Sequence, residues 1–478
     1  MAVLILTLLQ GPETPALLFN RARQDFEAGR YSEAQARLKE ALKIAPQDAA
    51  LWSYLGLAES KLNHREDAIL AFTKACALDP RNPLNYFNLA VLHRQGGEYH
   101  TALDDYRKGL ALNPDDPAAN ESYARILMET HRYREAVGPL ERLKRISPSK
   151  FPLRLALVEC YLKAGMNDQG EKEIQEFVKA SGASMDDRLD LARLLVDNNQ
   201  PDAARWVLEQ VVQGSPDLAD ARAGLGIVLT DLGRYQDAAQ QLAQAVRLAP
   251  GSAEYAMRYA EALLLAKHSV DALEYLKSVK ARFGKLPEYR YKLGLAYYGS
   301  SMYESAIAEL ESLIRDFPHL RNLDRAEYYL GHCYSAAGDP DRAEIHYRKA
   351  LALNPQEPSY AAALGHTLRR DVDAKNDEAI GYLEKAVQSD PSDILSKQDL
   401  ALCYEKKGRY AEAEHLLLSV IQHNPRTVSA HRILARLYYR EGKNEQGDRE
   451  SAVVARLDAE ELRRSKQMID PRAAEQEK

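Results

Sequence analysis

The chain has 478 residues, 45% hydrophobic and 28% charged, with a formal net charge of −6. That balance speaks against a protein that neutralises phosphates, on nucleic acid or on an anionic membrane surface, since such proteins carry a basic excess or a dense basic face. Cys76, Cys160, Cys333 and Cys403 lie far apart, with no CxxC or Cys/His spacing, which removes a disulfide framework and a zinc site from consideration.

In chain order, the first element is the apolar stretch Ala2–Leu9 within residues 1–14. It has the length of a signal-peptide core, and Gly11, Pro12 and Ala16 follow it, but the first basic residue is Arg21. Two readings stand. A signal remnant over residues 1–16 implies a periplasmic or secreted protein. An apolar flap capping the first helix pair implies a cytoplasmic one. No apolar run reaches the roughly 18–20 residues of a spanning helix.

From residue 15 a period sets in. Pro46, Pro80, Pro114 and Pro148 stand 34 residues apart, and Pro216, Pro250, Pro318, Pro355, Pro391 and Pro425 continue the series with small insertions. With the proline at slot 32, Leu-Gly or Leu-Ala falls at slots 7 and 8: Leu55-Gly56, Leu89-Ala90, Leu293-Gly294, Leu330-Gly331, Leu364-Gly365. Slot 20 is alanine in most units, from Ala34 to Ala413, and slot 24 is bulky. Slot 15 is often glycine: Gly29, Gly97, Gly233, Gly338, Gly408. Slots 4, 7, 8 and 11 make one apolar helical stripe, and 20, 24 and 27 make a second. Glycine at 15 suits the positive-φ residue that ends a helix, and proline at 32 cannot continue one. The spacing therefore predicts an antiparallel helix hairpin per unit. A lone hairpin cannot bury its apolar face, so the units must stack.

On these residues the chain closely resembles the tetratricopeptide repeat family, in a scaffold of bacterial type with about a dozen tandem copies over residues 15–461. Residues 49–82 match its pattern with Trp52, Leu55, Gly56, Ala68, Phe72, Ala75 and Pro80. Units 151–184 and 253–286 diverge, with Val158 at slot 8 and Gly170 at slot 20 in the first and Gly284 in place of the proline in the second. The last repeat, from Val428, fades into a polar cap and tail over 462–478. The resemblance implies an all-α solenoid, a right-handed superhelix of stacked hairpins whose first helices line a concave groove, with slots 2, 5, 6, 9, 12 and 13 facing inward.

No GxxxxGK[ST], GxSxG or HExxH motif occurs, so no enzyme and no cofactor is expected. His332 and His366 share slot 9 in neighbouring units. Equivalent positions on stacked helices lie about 10 Å apart, too wide for one zinc bonded near 2 Å, so no metal is expected. On the inward slots, Phe87, Met257, Tyr291, Tyr298, Tyr328 and His332 are candidate partner contacts, because tyrosine joins a large apolar body to a hydroxyl. The competing reading is that the tyrosines fill gaps between first helices. Arg432 and Arg436 add a basic element on the inward slots, against which stands the reading of a solvated helix face, partly offset by Glu405 and Asp399.

The function expected is a non-catalytic protein–protein interaction scaffold that binds a peptide or protein segment in its groove. One alternative is a recruiting or regulatory subunit of an envelope or polysaccharide-assembly enzyme. Another is an RNA-binding helical-repeat protein, against which stand the 34-residue period, the negative net charge and the inconsistent polar slots.

Overall fold

The structure is a computed structural model and describes residues 14–369 and 375–469, with side chains to 464. The expectations for residues 1–13 and for the tail beyond 469 lie outside the described residues. These are helical throughout, without a strand, and none of their helices is long and apolar enough to cross a membrane.

The chain forms two compact units, Met1–Gly233 and Arg234–Lys478. The first holds α1 (Pro15–Glu27), α2 (Tyr31–Ile44), α3 (Ala49–Lys61), α4 (Arg65–Leu78), α5 (Pro83–Gln95), α6 (Tyr99–Leu112), α7 (Pro117–Glu129), α8 (Tyr133–Ile146), α9 (Phe151–Lys163), α10 (Asn167–Lys179), α11 (Met185–Asp197), α12 (Pro201–Gly214) and α13 (Ala219–Asp231). The second holds α14 (Tyr235–Leu248), α15 (Ala253–Leu265), α16 (Ser269–Phe283), α17 (Pro287–Gly299), α18 (Tyr303–Asp316), α19 (Leu323–Ala336), α20 (Pro340–Leu353), α21 (Pro358–Arg369), α22 (Asn376–Ser389), α23 (Ile394–Lys406), α24 (Tyr410–His423), α25 (Val428–Arg440) and α26 (Asn444–Ile469).

The repeated sequence slots become repeated physical jobs. Among the described residues, slot 15 is left-handed in the turns between first and second helix of a repeat. Glycine takes it at seven places, from Gly29 to Gly442, while Asn63, His131, Asn199, Lys267 and Ser301 take it with φ of 55–62°. Slot 8 is a place where a hairpin closes tightly. A Cβ on Gly56 would meet the Phe72 ring at 2.8 Å, one on Gly294 would meet Leu310 at 2.7 Å, and one on Gly331 would meet Tyr347 at 2.6 Å. The proline-bearing loop feeds a capped start: Asp48, Asp116, Ser252 and Asp393 each accept a backbone N–H of the next helix.

Slot 4, where a bulky apolar residue is the rule, holds a charge in several units. In four hairpins the slot-4 residue meets an opposite ionisable group at slot 23 of the same hairpin. Arg154 pairs with Glu173 at 2.6 Å and Arg290 with Glu309 at 2.9 Å. His346 Nδ1 lies 2.5 Å from Glu327 and His431 Nδ1 2.5 Å from Glu450. A charge leaving water is tolerated there because its partner arrives with it. In divergent unit 151–184 the guanidinium of Arg154 also lies over the rings of Phe151 and Phe177, which meet edge to face at 5.1 Å. Phe177 is thus buried at a slot that is often small elsewhere, as at Ala41, Ala75 and Ala245.

Within each unit the first helices of neighbouring hairpins touch: α1 and α3, α9 and α11, α15 and α17, α17 and α19, α21 and α23, α23 and α25. Second helices of neighbouring hairpins are bridged by long side chains, as Arg348 on α20 reaches Glu378 on α22 at 2.6 Å. Closer approach on the first-helix side makes that side the inside of the curve in each unit.

Candidate functional site

The inward face of the second unit starts from α17 and α19. Slots 5 and 12 of α17 carry Tyr291 and Tyr298, and slots 5, 6 and 9 of α19 carry Tyr328, Tyr329 and His332. The helices are near neighbours, so these rings meet. Tyr291 lies 6.4 Å from Tyr329, Tyr298 lies 6.0 Å from Tyr329, and Tyr328 meets His332 edge to face at 4.5 Å. Tyr360 of α21 closes the cluster 4.8 Å from Tyr328, and its hydroxyl donates to Asp324 at 2.9 Å. The four tyrosine and histidine candidates on α17 and α19 therefore come together.

They are half-buried, however, and much of their area packs against one another, as the gap-filling reading expected. Burial pushes the Tyr291 and Tyr328 hydroxyls up from their ordinary values. Burial among rings, with a smaller push from His366, lowers His332 to about 4. His332 is accordingly a neutral ring in a ring cluster at neutral pH. His366, its slot-9 counterpart, is turned the other way, with Nδ1 at 2.5 Å from Asp399 of α23.

Beside the cluster is a recess of about 310 Å³. It is lined by Leu264 and Leu265 of α15, Tyr291 and Leu295 of α17, and Arg325 and Tyr328 of α19, among others. Leu265 is 43% exposed. Lys292 lies buried in the floor, 3.5 Å from Glu261.

Two candidates are corrected. Met257 is 1% exposed, because close approach of α17 to α15 covers slot 5, so it is core and offers no contact. Phe87, in the first unit, is buried: its ring fills the space that Gly109 leaves open, and it lies 6.3 Å from Tyr106. The exposed apolar side chains on that helix are instead Leu84 and Val91.

The arginines of α25 are not free. Arg436 makes a two-pronged contact with Glu405 of α23, at 2.6 and 3.2 Å, and Arg440 reaches the same carboxylate at 3.1 Å. Arg432 pairs with Asp458 of α26 at 3.3 Å. Sequence reasoning missed that Glu405 and Asp399 are both buried and each held from one neighbouring helix, and that Arg436 meets Glu405 across 31 positions, a pairing that carries no local signal.

Glu59, His64 and Asp67 form a group able to face a metal ion. Glu59 is already occupied by Gln35 at 2.7 Å, Lys39 at 2.9 Å and His64 at 2.8 Å, so its carboxylate serves the packing of α2 on α3.

Models described as tetratricopeptide repeat match residues 19–83, 189–253, 229–295, 288–319, 325–357 and 373–447. One described as subunit 3 of the anaphase-promoting complex, cyclosome, matches residues 61–143. An N-terminal acetyltransferase A complex subunit-like protein of Schizosaccharomyces pombe is 25% identical over 36% of this chain and 25% of its own length. A CTR9 homolog of Arabidopsis thaliana is 23% identical over 78% of this chain and 32% of its own. The Hsp70-Hsp90 organizing protein of Triticum aestivum is 32% identical over 19% of this chain and 16% of its own. The chain thus spans a third or less of these relatives. Among solved structures, Naa15/Naa10 bound to HypK-THB aligns at a TM-score of 0.46 with 15% identity, covering 95% of this chain and 79% of that one. Yeast Tom70 aligns at 0.39 with 15% identity, covering 97% and 98%. With the pattern matched along the chain and each unit folded as stacked hairpins, the protein belongs to the tetratricopeptide repeat family.

Proposed function

We propose that this chain is a non-catalytic scaffold that holds a segment of another protein on the inward, first-helix face of its second unit. The observation that carries the reading is the recess beside the tyrosine cluster, where Leu265 and Arg325 stand exposed next to half-buried Tyr291 and Tyr328. A recess of this size takes one bulky side chain, and aromatic walls with a few polar groups suit such an anchor. The names of the relatives, a complex subunit-like protein and an organizing protein, are those of assembly proteins and favour the same reading.

Alanine at Tyr291 or Tyr328 is a poor test, since either change opens a cavity in a packed cluster. Leu265→Asp and Arg325→Glu leave the cluster intact. Each is expected to abolish capture of the partner segment, with a melting temperature within about 3 °C of the parent, as surface substitutions change stability little. Undiminished capture by both variants contradicts the proposal.

A further inference from the structure

The same face changes character three helices further on. Helix α23 buries two carboxylates, Asp399 and Glu405. Neighbouring helices hold each from one side. From α21, His366 takes Asp399, and Arg369 Nε stands 2.8 Å from it in a geometry too bent for a hydrogen bond. From α25, Arg436 and Arg440 take Glu405. The Glu405 side chain is 3% exposed, whereas those of Arg436 and Arg440 are 51% and 54% exposed. The anions are underneath and the cations on top. Lys406, exposed on α23, adds to them, so the surface a visitor meets here is cationic in a chain whose net charge is negative, while Arg432 is offset by exposed Asp458.

A guanidinium has five donors, and Glu405 takes two from Arg436 and holds Arg440 as an ion pair at 3.1 Å. The rest point away from the buried carboxylate. Because two hydrogen bonds to Glu405 hold the Arg436 plane, its remaining donors are pre-oriented and lose little freedom on meeting a second carboxylate. Resting on the proposed groove function, we infer that the partner segment is acidic: an extended stretch whose bulky side chain enters the recess on α15–α19 and whose Asp/Glu run lies on Arg436 and Arg440. Three helix steps of 8–10 Å separate the two contacts, so the anchor and the acidic run stand roughly eight extended residues apart. A nucleic acid fits less well. Tyr328 is packed between His332 and Tyr360, and stacking a base needs an open ring face.

The test is fluorescence anisotropy with the full chain and two labelled peptides. Both carry Phe-Leu and an eight-residue Gly/Ser spacer, ending in four Glu in one and four Gln in the other. The Glu peptide is expected to bind about tenfold tighter or more at low salt, and the gap is expected to close as salt rises. Arg436→Gln with Arg440→Gln should erase the gap. Because that pair strands Glu405, the triple variant with Glu405→Gln is measured alongside and should also erase it. Equal affinity for the two peptides overturns the inference while leaving the recess in place. So does a Glu preference that survives the triple variant, since the acid then docks elsewhere. Labelled poly(U) RNA binding as tightly as the Glu peptide overturns it as well, because the surface would then read any polyanion.

Discussion

Tyr404 on α23 donates its hydroxyl to Glu384 on α22, in the hairpin before it, at 2.7 Å. The relation recurs at the same two slots: Tyr161 donates to Glu141 at 2.7 Å and Tyr334 to Glu311 at 2.5 Å. A slot-11 tyrosine thus packs inside its own repeat and ties it to the previous one. In a stacked array, where neighbours contact only neighbours, such a bond acts on the coupling between repeats. Tyr404→Phe is expected to cost about 1 kcal/mol, and a double-mutant cycle with Glu384→Gln should return most of that as interaction energy. Urea denaturation measures both, and additive effects would contradict the relation.

These tyrosines also set an alkaline limit. Burial, and then the neighbouring Glu384, pushes Tyr404 up to about 12, and burial does the same for Tyr275 and Tyr289. A hydroxyl raised in the folded state favours folding up to the unfolded value near 10, and that contribution is lost as pH rises from 10 towards 12. The urea midpoint is expected to fall steadily across that window, with Tyr404→Phe flattening the slope. A midpoint constant from pH 9.5 to 11.5 would contradict it.

His332 gives the acid-side counterpart. Burial among the rings lowers it to about 4, so its contribution is present above the unfolded value near 6.5 and lost as pH falls towards 4. The ring proton of His332, followed by NMR, should titrate well below the exposed histidines. His332→Phe should make the second unit less acid-sensitive. An ordinary titration near 6.5 would contradict the packing described.

The turn slot offers a gain in stability. Lys267 and Ser301 hold φ of 62° and 59°, where a Cβ is crowded and glycine is not. Lys267→Gly and Ser301→Gly are each expected to add up to about 1 kcal/mol, the relief of left-handed strain less the entropy that glycine adds to the unfolded chain. A drop in melting temperature for both would contradict the assignment.

The fold was legible because its determinants are local and repeated. Proline at slot 32, a turn residue at 15 and a small residue at 8 each act within one hairpin, so the successive copies reinforce one message. The tyrosine cluster was legible for the same reason, since equal slots on stacked helices must adjoin. What escaped was set by contacts between helices. Met257 looked inward by slot but is covered by α17. Arg154 and Arg290, at a slot that is ordinarily apolar, found carboxylates on the second helix of their own hairpins. Arg436 read as a solvated charge until α23 brought Glu405 beneath it.

The most direct measurement places a photo-crosslinking residue at Leu265, on the inward face, and in a second variant at Ile345, exposed on the second helix α20. Each is activated in cells and the crosslinked segment is sequenced. A single segment captured at 265 and not at 345 is the predicted result; capture at 345 alone, or of unrelated proteins at both, would contradict it.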